Sequence, residues 1–373
     1  MQRAMKSGTL SSIVSFFTGA GFLDLGFEDA GFEIAFANEF DPEFARGYLH
    51  AVSAMGRSAP RHGLHVGSIE DFLDGAAAQR LRQIVRQERA SGRAVGFVGG
   101  PPCPDFSIGG KNRGAQGDNG RLTRVYFDLI TEFKPDWFLF ENVRGLFRTR
   151  RHREFFEEMR MQVRGAGYRT SERLINAIEY GAGQDRDRII MVGRRGRIRG
   201  GTAELSTPWM EHTAFQRSVL SDVPWPTASA FGAPARRPKG VPEALTVQYW
   251  FDRNDVVNHP NAGHCFRPRA GLKRFQTVDE GDDSRKSYKR LHRFRYSPTA
   301  CYGNNEVHLH PTQARRISVA EALALQSLPP RFELPADMTL SDMFKTVGNG
   351  VPYLAARGLA AMMAEVLASQ DGG

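Results

Sequence analysis

The sequence predicts an α/β fold: a doubly wound parallel sheet with a second, smaller domain of irregular structure. Between residues 12 and 193, short apolar runs bounded by Gly, Pro or polar residues alternate with amphipathic stretches of helical length. This alternation is typical of parallel strands that are connected by right-handed crossover helices. From about residue 194 to 295 the chain is instead rich in Pro, Gly, Arg and isolated aromatic residues, without a long period. We therefore expect two domains of different character.

The individual elements follow from the same patterns. Predicted strands cover residues 12–17, 33–37, 66–69, 95–98, 137–140, 168–176 and 189–193. Predicted helices cover residues 22–30, a segment beginning at Asp41 with proline in its first turn, and residues 76–90, 122–133, 152–164, 318–326 and 351–367. The predicted domains are a large one at residues 1–195, completed by 335–373, a small one at 196–300, and a connecting segment at 301–334.

Composition indicates a globular protein of the reducing cytoplasm. Of the 373 residues, 41% are hydrophobic and 24% charged, no apolar run approaches the length of a membrane span, and the first residues lack a signal-peptide core. The cysteines, Cys103, Cys265 and Cys301, are far apart and form no CxxC pair. This spacing argues against a disulfide framework or a metal site. We predict a cytoplasmic protein with no metal and no membrane partner.

Positive charge is concentrated in one block of the chain. The net charge is +9, and residues 146–295 hold 29 Lys and Arg against 17 Asp and Glu, whereas the rest holds 21 against 24. Such a block is often only solvated surface. A surplus this uneven favours a polyanionic partner, most simply nucleic acid.

One cysteine follows a predicted buried strand. The run Val95–Val98 leads into Gly-Gly-Pro-Pro and then Cys103. Prolines stiffen this exit, so Cys103 is expected at the carboxyl end of the strand, where ligands bind in open α/β sheets. A thiolate there would be a nucleophile, whereas a lone cysteine is more often a small buried apolar residue. The polar, glycine-rich loop that follows favours the nucleophile.

A glycine loop joins the first strand to the first helix, as Phe17-Thr-Gly-Ala-Gly-Phe. Such a loop lets backbone approach a ligand at a helix N-terminus. A nicotinamide dinucleotide fold would begin in the same way, but its third glycine is replaced here by Asp24. Glu39, at the end of the second strand, suits a ribose diol in either case. The loop alone therefore indicates only a nucleoside-bearing cofactor.

Two further segments carry charged groups at predicted strand ends. Glu141 lies at the end of the strand expected beside that of Cys103. One interpretation is an acid that acts on the same substrate, and the other is a helix cap or an ion-pair partner. Gln184, Arg186 and Arg188 alternate on a predicted strand, which places them on one face. The alternative for these three is a sheet edge with surface ion pairs.

These motifs occur in one order along the chain. The order is Phe-x-Gly-x-Gly, Asn38-Glu39, Pro-Pro-Cys-x-x-Phe-Ser, Glu-Asn-Val, Gln-x-Arg-x-Arg and Gly-Asn-x-Val-Pro. The chain closely resembles the cytosine-5 DNA methyltransferases over almost its whole length, and residues 316–329 resemble the family's motif before the final helix. The resemblance implies a Rossmann-like methyltransferase sheet, S-adenosyl-methionine as methyl donor, and a flipped cytosine in duplex DNA as acceptor.

The resemblance also implies roles for individual residues. Cys103 would add to C6 of cytosine, Glu141 would contact N3, Arg188 would stabilise the O2 side, and Arg186 would order the cysteine region. The implied cofactor-binding residues are Phe17, Gly19, Gly21, Asn38, Glu39, Ser68, Ile69, Pro101, Asn349 and Val351. Two departures from the family pattern stand out. Ser68 replaces an aspartate that contacts the adenine amino group, and Pro104-Asp105 replaces Gln-Gly.

DNA contacts are expected in two places. The loop 107–120 contains five glycines and would close over the DNA, with Ser107, Lys111 and Arg113 toward phosphates. In the small domain, the target-recognition part, we expect Arg267 and Arg269 to reach bases and Lys286, Lys289 and Arg290 to meet phosphates. The alternative is a solvated basic face.

The implied cellular role is that of a prokaryotic or phage enzyme paired with a restriction or defence partner. We expect a monomer, nucleoid-associated through its DNA substrate. Two alternatives remain. One is an RNA (tRNA) cytosine-5 methyltransferase, although the Cys-Phe-Thr tripeptide of that branch is absent. The other is a catalytically inactive DNA-binding protein, which the intact motif residues disfavour.

Overall fold

The computed structural model describes residues 10–102, 118–147, 149–196, 204–268, 271–285, 287–300, 302 and 307–369. Within these residues, seven strands form one sheet in the order β3-β2-β1-β4-β5-β7-β6. The strands are β1 (Ser12–Phe16), β2 (Glu33–Glu39), β3 (Leu64–Val66), β4 (Val95–Gly99), β5 (Trp137–Val143), β6 (Tyr168–Asn176) and β7 (Asp187–Arg195). The predicted α/β class is confirmed.

The sheet is mixed rather than wholly parallel. Strands β3, β2, β1, β4 and β5 are parallel, but β7 runs antiparallel to both β5 and β6. The expectation of a parallel sheet is therefore wrong at this edge. Only residues 177–186 link β6 to β7. A parallel return needs a crossover of a dozen or more residues, so a link this short forces the strand to reverse.

The helices described are α1 (Phe22–Glu28), α2 (Pro42–Ala54), α3 (Gly75–Ala90), α4 (Asp118–Phe133), α5 (Arg150–Gly165), α6 (Val219–Asp222), α7 (Val247–Arg253), α8 (Leu272–Thr277), α9 (Val319–Leu325), α10 (Leu340–Asn349) and α11 (Tyr353–Ala368). The helices predicted in the sheet region and at 318–326 and 351–367 are confirmed. Helix α10 is an addition. The predicted strand at 66–69 stops at Val66, and a 3-10 turn, Ile69–Phe72, follows it.

Capping side chains explain where several helices begin. The Asp41 carboxylate accepts hydrogen bonds from the amides of Glu43 and Phe44 at the start of α2. At α9, Ser318 and Glu321 cap each other's backbone amides in a capping box. Each cap satisfies amides that have no partner within the helix, so the chain enters these helices at a defined residue.

Both faces of the sheet are covered. Alternate residues of β1 point to opposite faces, so Ile13 and Val14 join different hydrophobic clusters. Helices α3, α4 and α5 cover one face, and α1 and α11 cover the other. Gly26 of α1 lies so close to α11 that a Cβ there would be 2.5 Å from the Cβ of Ala356. The carboxyl-terminal helix is thus an integral layer of the sheet region.

Among the residues described between 204 and 300, the helices are short and the rest of the chain is irregular, as the composition predicted. Their buried side chains, such as Val247 and Trp250, belong to one cluster with α9, α10 and Phe22 of α1. The segment 301–334 contributes buried α9 to this cluster. The domain boundaries at 195 and 300 stay predictions, since the two regions share this core.

One helical stretch in the described residues, Leu340–Ala368, is apolar enough by length and composition to cross a membrane. More than half of its most apolar window is buried inside the protein. It comprises α10 and α11, which are interrupted at Gly350-Val351-Pro352. These features are those of a core helix.

Candidate active site

The loop after β1 folds as a tight left-handed turn. Phe17, Gly19 and Gly21 have φ of 55°, 57° and 82°. A Cβ on Gly21 would lie 2.4 Å from the ring of Tyr48, so only glycine fits there. The Thr18 amide donates to the Asn38 carbonyl at 3.2 Å. The loop is therefore fixed against the end of β2.

The buried side chain of Asp24 holds this loop in place. Its carboxylate, 2% exposed, accepts hydrogen bonds from Ser15 Oγ at 2.6 Å and Thr18 Oγ1 at 2.5 Å. Burial raises the pKa of Asp24 to about 6. The residue that departs from the dinucleotide fingerprint is thus a structural part of the loop.

Glu39 and Asn38 complete the edge of β2. The Glu39 carboxylate accepts hydrogen bonds from the amides of Gly19 at 2.7 Å and Asp41 at 2.9 Å, and burial raises its pKa. Asn38 Nδ2 donates to the carbonyls of His65 and Gly67, while its buried Oδ1 has no hydrogen-bond partner in the part of the chain that the structure describes. The two predicted cofactor residues therefore lie beside the glycine loop.

Ser68 and Ile69 lie at the end of β3. The Ser68 hydroxyl accepts a hydrogen bond from the Glu70 amide at 3.2 Å and caps the 3-10 turn. Ile69 is almost wholly buried beside Phe72. The adenine contacts expected of Ser68 and Ile69 stay predictions, and the capping role explains a serine at this position.

Glu141 and Arg188 form a buried ion pair at the end of β5. Arg188 Nε lies 2.6 Å from Glu141 Oε1, and the side chains are 12% and 10% exposed. A Cβ on Gly100 would be 2.6 Å from Glu141 Oε2, and Asn142 Nδ2 donates to the Pro101 carbonyl at 3.4 Å. The pair therefore lies directly beside the segment that leads to residue 103. Cys103, Ser107, Lys111 and Arg113 lie outside the described residues.

Gln184 and Arg186 precede β7 instead of sharing a strand face with Arg188, so that expectation is wrong. The strand begins at Asp187 because the preceding residues follow a 3-10 turn. Arg186, 1% exposed, donates to the carbonyls of Ala300 at 2.8 Å and Gly348 at 2.7 Å. It therefore links the start of β7 to the segment before the final helix.

The turn 348–352 meets the glycine loop. A Cβ on Gly350 would lie 2.1 Å from the Phe22 ring, and Val351 is buried against α11. Asn349 ends α10. Thr346 Oγ1, which is buried and has no hydrogen-bond partner among the described residues, lies 3.9 Å from the Cβ position of Gly19. The residues expected around the cofactor thus converge on one edge.

Sequence reasoning missed two residues of this edge. Phe40 is 73% exposed directly after Glu39, and Thr346 presents its buried hydroxyl beside Gly19. An aromatic residue after the Asn-Glu pair at a strand end was a usable signal for Phe40. Nothing in the sequence places Thr346 near residue 19, since the contact depends on the packing of α10.

Arg290, which was expected to meet phosphate, is buried, so its side chain is not available for that contact. Its side chain is wholly buried, and its guanidinium donates to the carbonyls of Val278, Gln313, His310 and Phe275. It also lies 4.1 Å from the centroid of the Phe231 ring. Burial lowers the pKa of Arg290 to about 10. With its donors committed to carbonyls, Arg290 holds the irregular region together.

The other basic residues expected at DNA divide into two groups. Arg267 is exposed and Lys289 is half-buried, so both remain accessible to a ligand. Arg269 and Lys286 lie outside the described residues. The assignment of Arg267 to bases and Lys289 to phosphates stays a prediction.

Comparisons with known proteins give the family. Residues 11–365 match the model of the C-5 cytosine-specific DNA methylases. The chain is 55% identical to Type II methyltransferase M.NmeDI of Neisseria meningitidis over 93% of this chain and 82% of that protein. It is 30% identical to M.XorII of Xanthomonas oryzae over 95% and 84%.

A solved structure agrees in fold. The crystal structure of a candidate DNA modification methyltransferase encoded within a prophage of E. coli superposes with a TM-score of 0.66 at 21% identity, covering 96% of this chain and 99% of that one. The Rossmann-like methyltransferase sheet that the resemblance implied is thereby confirmed. The chain belongs to the C-5 cytosine-specific DNA methylase family, and it is a DNA cytosine-5 methyltransferase.

Proposed function

We propose that this enzyme transfers a methyl group from S-adenosyl-methionine to C5 of a cytosine flipped out of a specific duplex DNA site, through a covalent adduct with Cys103. The observation that carries the proposal is the buried Glu141–Arg188 pair beside Gly100, in the segment that leads to Cys103. A nucleophile, a fixed carboxylate and an arginine are the groups that activation of a pyrimidine at C5 requires.

The edge of β1 and β2 fits S-adenosyl-methionine. The Glu39 carboxylate suits ribose hydroxyls, and the exposed Phe40 ring suits adenine. The buried Thr346 Oγ1 has no partner among the residues described and could bond a ligand. When bound, this cofactor supplies an electrophilic methyl group. The other residues proposed to hold it are Phe17, Gly19, Gly21, Asn38, Ser68, Ile69, Pro101, Asn349 and Val351.

The residues of the chain then activate the base. The Cys103 thiolate adds to C6, and the electron pair of the C5–C6 double bond makes C5 nucleophilic. Glu141 hydrogen-bonds or protonates N3, so that negative charge does not build up on the ring, and Arg188 stabilises the O2 side. After methyl transfer, a base removes the C5 proton, the double bond re-forms and Cys103 leaves as thiolate. Arg186 orders this region.

Access to C6 and C5 requires the cytosine to leave the base stack. We infer that the loop 107–120 closes over the DNA, with Ser107, Lys111 and Arg113 near phosphates. The Type II names of the relatives support pairing with a restriction or defence protein. We infer a monomer in the cytoplasm, nucleoid-associated through its substrate.

A trapping experiment tests the adduct. DNA that carries 5-fluorocytosine at the target should trap the enzyme covalently, because fluorine cannot leave as the proton does. Cys103→Ala should bind S-adenosyl-methionine and fail to be trapped. Cys265→Ala is the matched control, since that thiol donates to the Arg316 carbonyl in the other region of the chain, and should be trapped normally. If Cys103→Ala is trapped covalently, Cys103 is not the nucleophile. If the enzyme methylates tRNA but not duplex DNA, its substrate is tRNA.

A further inference from the structure

Two arginines lie against one tyrosine ring in the irregular region. Arg274 Cζ is 5.1 Å and Arg316 Cζ is 5.9 Å from the centroid of the Tyr288 ring. The guanidinium groups are therefore no more than about 11 Å apart. Phe266 and Phe275 complete the aromatic bed under Arg316, at 5.6 and 6.0 Å. We call Arg274, Tyr288 and Arg316 the arginine–tyrosine cluster.

The cluster holds two positive charges close together. Among the residues that the structure describes, no carboxylate lies within ion-pair distance of Arg274 or Arg316, and Arg316 Nε is buried without a hydrogen-bond partner. Neighbouring arginines differ, since Arg293 pairs with the Glu280 carboxylate. Because the two guanidinium groups are no more than about 11 Å apart, an anion that contacts both would reduce the repulsion between them.

The surrounding structure fixes the position of the Tyr288 ring before any ligand binds. Tyr288 has φ of 62°, a left-handed conformation that a bulky residue adopts only where its surroundings enforce it. Its ring packs at 5.6 Å from the ring of Phe275, which is buried. An aromatic face holds a guanidinium without accepting its hydrogen bonds, so the N–H donors remain available to a ligand.

We propose that Arg274 and Arg316, braced on Tyr288, bind backbone phosphates of the DNA duplex. The proposal rests on the proposed function, in which duplex DNA is the substrate. Arginine binds phosphate through paired, charge-assisted hydrogen bonds, and such contacts position the duplex without reading its sequence. The cluster thereby supplies affinity for every sequence, whereas choice of site lies elsewhere.

Salt-dependent binding tests the proposal. Kd is measured for cognate and scrambled duplexes between 50 and 200 mM salt, for the wild-type protein, Arg274→Gln, Arg316→Gln and Arg316→Lys. Arg237→Gln is the matched control, because Arg237 is a basic-block arginine already paired with Glu243. One lost phosphate contact lowers the salt slope by about 0.9, so the rise in Kd over this fourfold range should shrink about 3.5-fold for each glutamine variant.

The outcomes separate the possibilities. The proposal holds if Arg274→Gln and Arg316→Gln weaken both duplexes equally and flatten the slope, while Arg316→Lys and Arg237→Gln keep it. It fails if the slopes are unchanged, or if only cognate binding weakens, which indicates base contact. If Arg316→Gln does not fold, the salt slope of Arg274→Gln, a change at an exposed position, decides the outcome. Methyl transfer by wild-type protein is measured separately, so failure of the proposed function is distinguishable from failure of this contact.

Discussion

Arginines serve different partners in the two regions of the molecule. In the sheet region they pair mainly with carboxylates on neighbouring elements. Arg82 of α3 binds Glu132 of α4, and Arg124 of α4 binds Glu158 of α5. Such exposed or half-exposed pairs contribute little individually, about 0–1 kcal/mol. They balance the charge of the surface that covers the sheet.

In the irregular region some arginines also pair with carboxylates, as Arg293 does with Glu280, but others have carbonyls or aromatic rings as their partners. Arg290 donates to four carbonyls, and Arg274 and Arg316 lie on Tyr288. The arginines of this region that have no carboxylate partner among the described residues are therefore of two kinds, buried and exposed. Buried Arg290 joins separate segments through their carbonyls, and exposed Arg274, which has no carboxylate partner among the described residues, is available to an anion.

The largest expected effect concerns the Glu141–Arg188 ion pair at the proposed reaction site. Glu141→Gln keeps the shape of the side chain and removes its charge, so kcat should fall about 10²–10⁴-fold, the usual range for a positioned acid or base. S-adenosyl-methionine affinity, measured by calorimetry, should not change. Glu158→Gln removes a surface-paired carboxylate and should leave kcat unaltered. A Glu141→Gln enzyme within about threefold of wild type would remove Glu141 from the mechanism.

The contrast between buried and exposed arginines predicts a difference in stability. Arg290→Met leaves several buried carbonyls without donors and should lower the free energy of unfolding by about 3–5 kcal/mol in urea titrations. Arg274→Gln, at an exposed position, should change it by less than about 0.5 kcal/mol. Equal stabilities for these two variants would contradict the structural role of Arg290.

Asp24 predicts an effect of pH on stability. Burial raises its pKa from 3.8 to about 6, so the folded protein holds this proton more tightly than the unfolded chain. The resulting stabilisation is complete below pH 3.8 and is lost as pH rises to 6, a change of about 3 kcal/mol. Asp24→Asn cannot titrate. The difference in unfolding free energy between wild type and Asp24→Asn should therefore shift over this interval, and parallel pH profiles would count against a buried, titrating Asp24.

The smallest effect is expected at Ser68. Because its hydroxyl caps a 3-10 turn, Ser68→Ala should cost less than about 1 kcal/mol in S-adenosyl-methionine affinity by calorimetry. Glu39→Gln, which alters the carboxylate bonded to the Gly19 amide, is the comparison and should cost more. A loss well above 1 kcal/mol in Ser68→Ala would identify a direct ligand.

Local patterns predicted the elements of the sheet region well, because each strand there is a short apolar run with polar ends. The strand predicted at 66–69 failed because its apolar residues continue into a capped turn at Ser68. Helix α10 was missed because its sequence mixes polar residues with a glycine. The direction of β7 was missed because an apolar run carries no direction, and only the length of the preceding link restricts it.

At the site, motif order placed Glu39, Glu141 and Arg188 at one edge, and the structure brings them there. Arg290 could not be recognised as buried from a run of basic residues, because its partners lie in segments distant in sequence. The same holds for the arginine–tyrosine cluster, in which Arg316 meets Tyr288 through tertiary packing alone.

The antiparallel direction of β7 determines which end of that strand lies at the proposed reaction site. In the observed register, Arg188 near the start of β7 pairs with Val143 at the end of β5, and Arg194 pairs with Trp137 at the beginning. A parallel β7 would carry Arg188 to the opposite rim, about 20 Å away at ~3.3 Å per residue. The ten-residue connection between β6 and β7 is too short for a crossover. Its length therefore determines that the Arg188 guanidinium faces the Glu141 carboxylate.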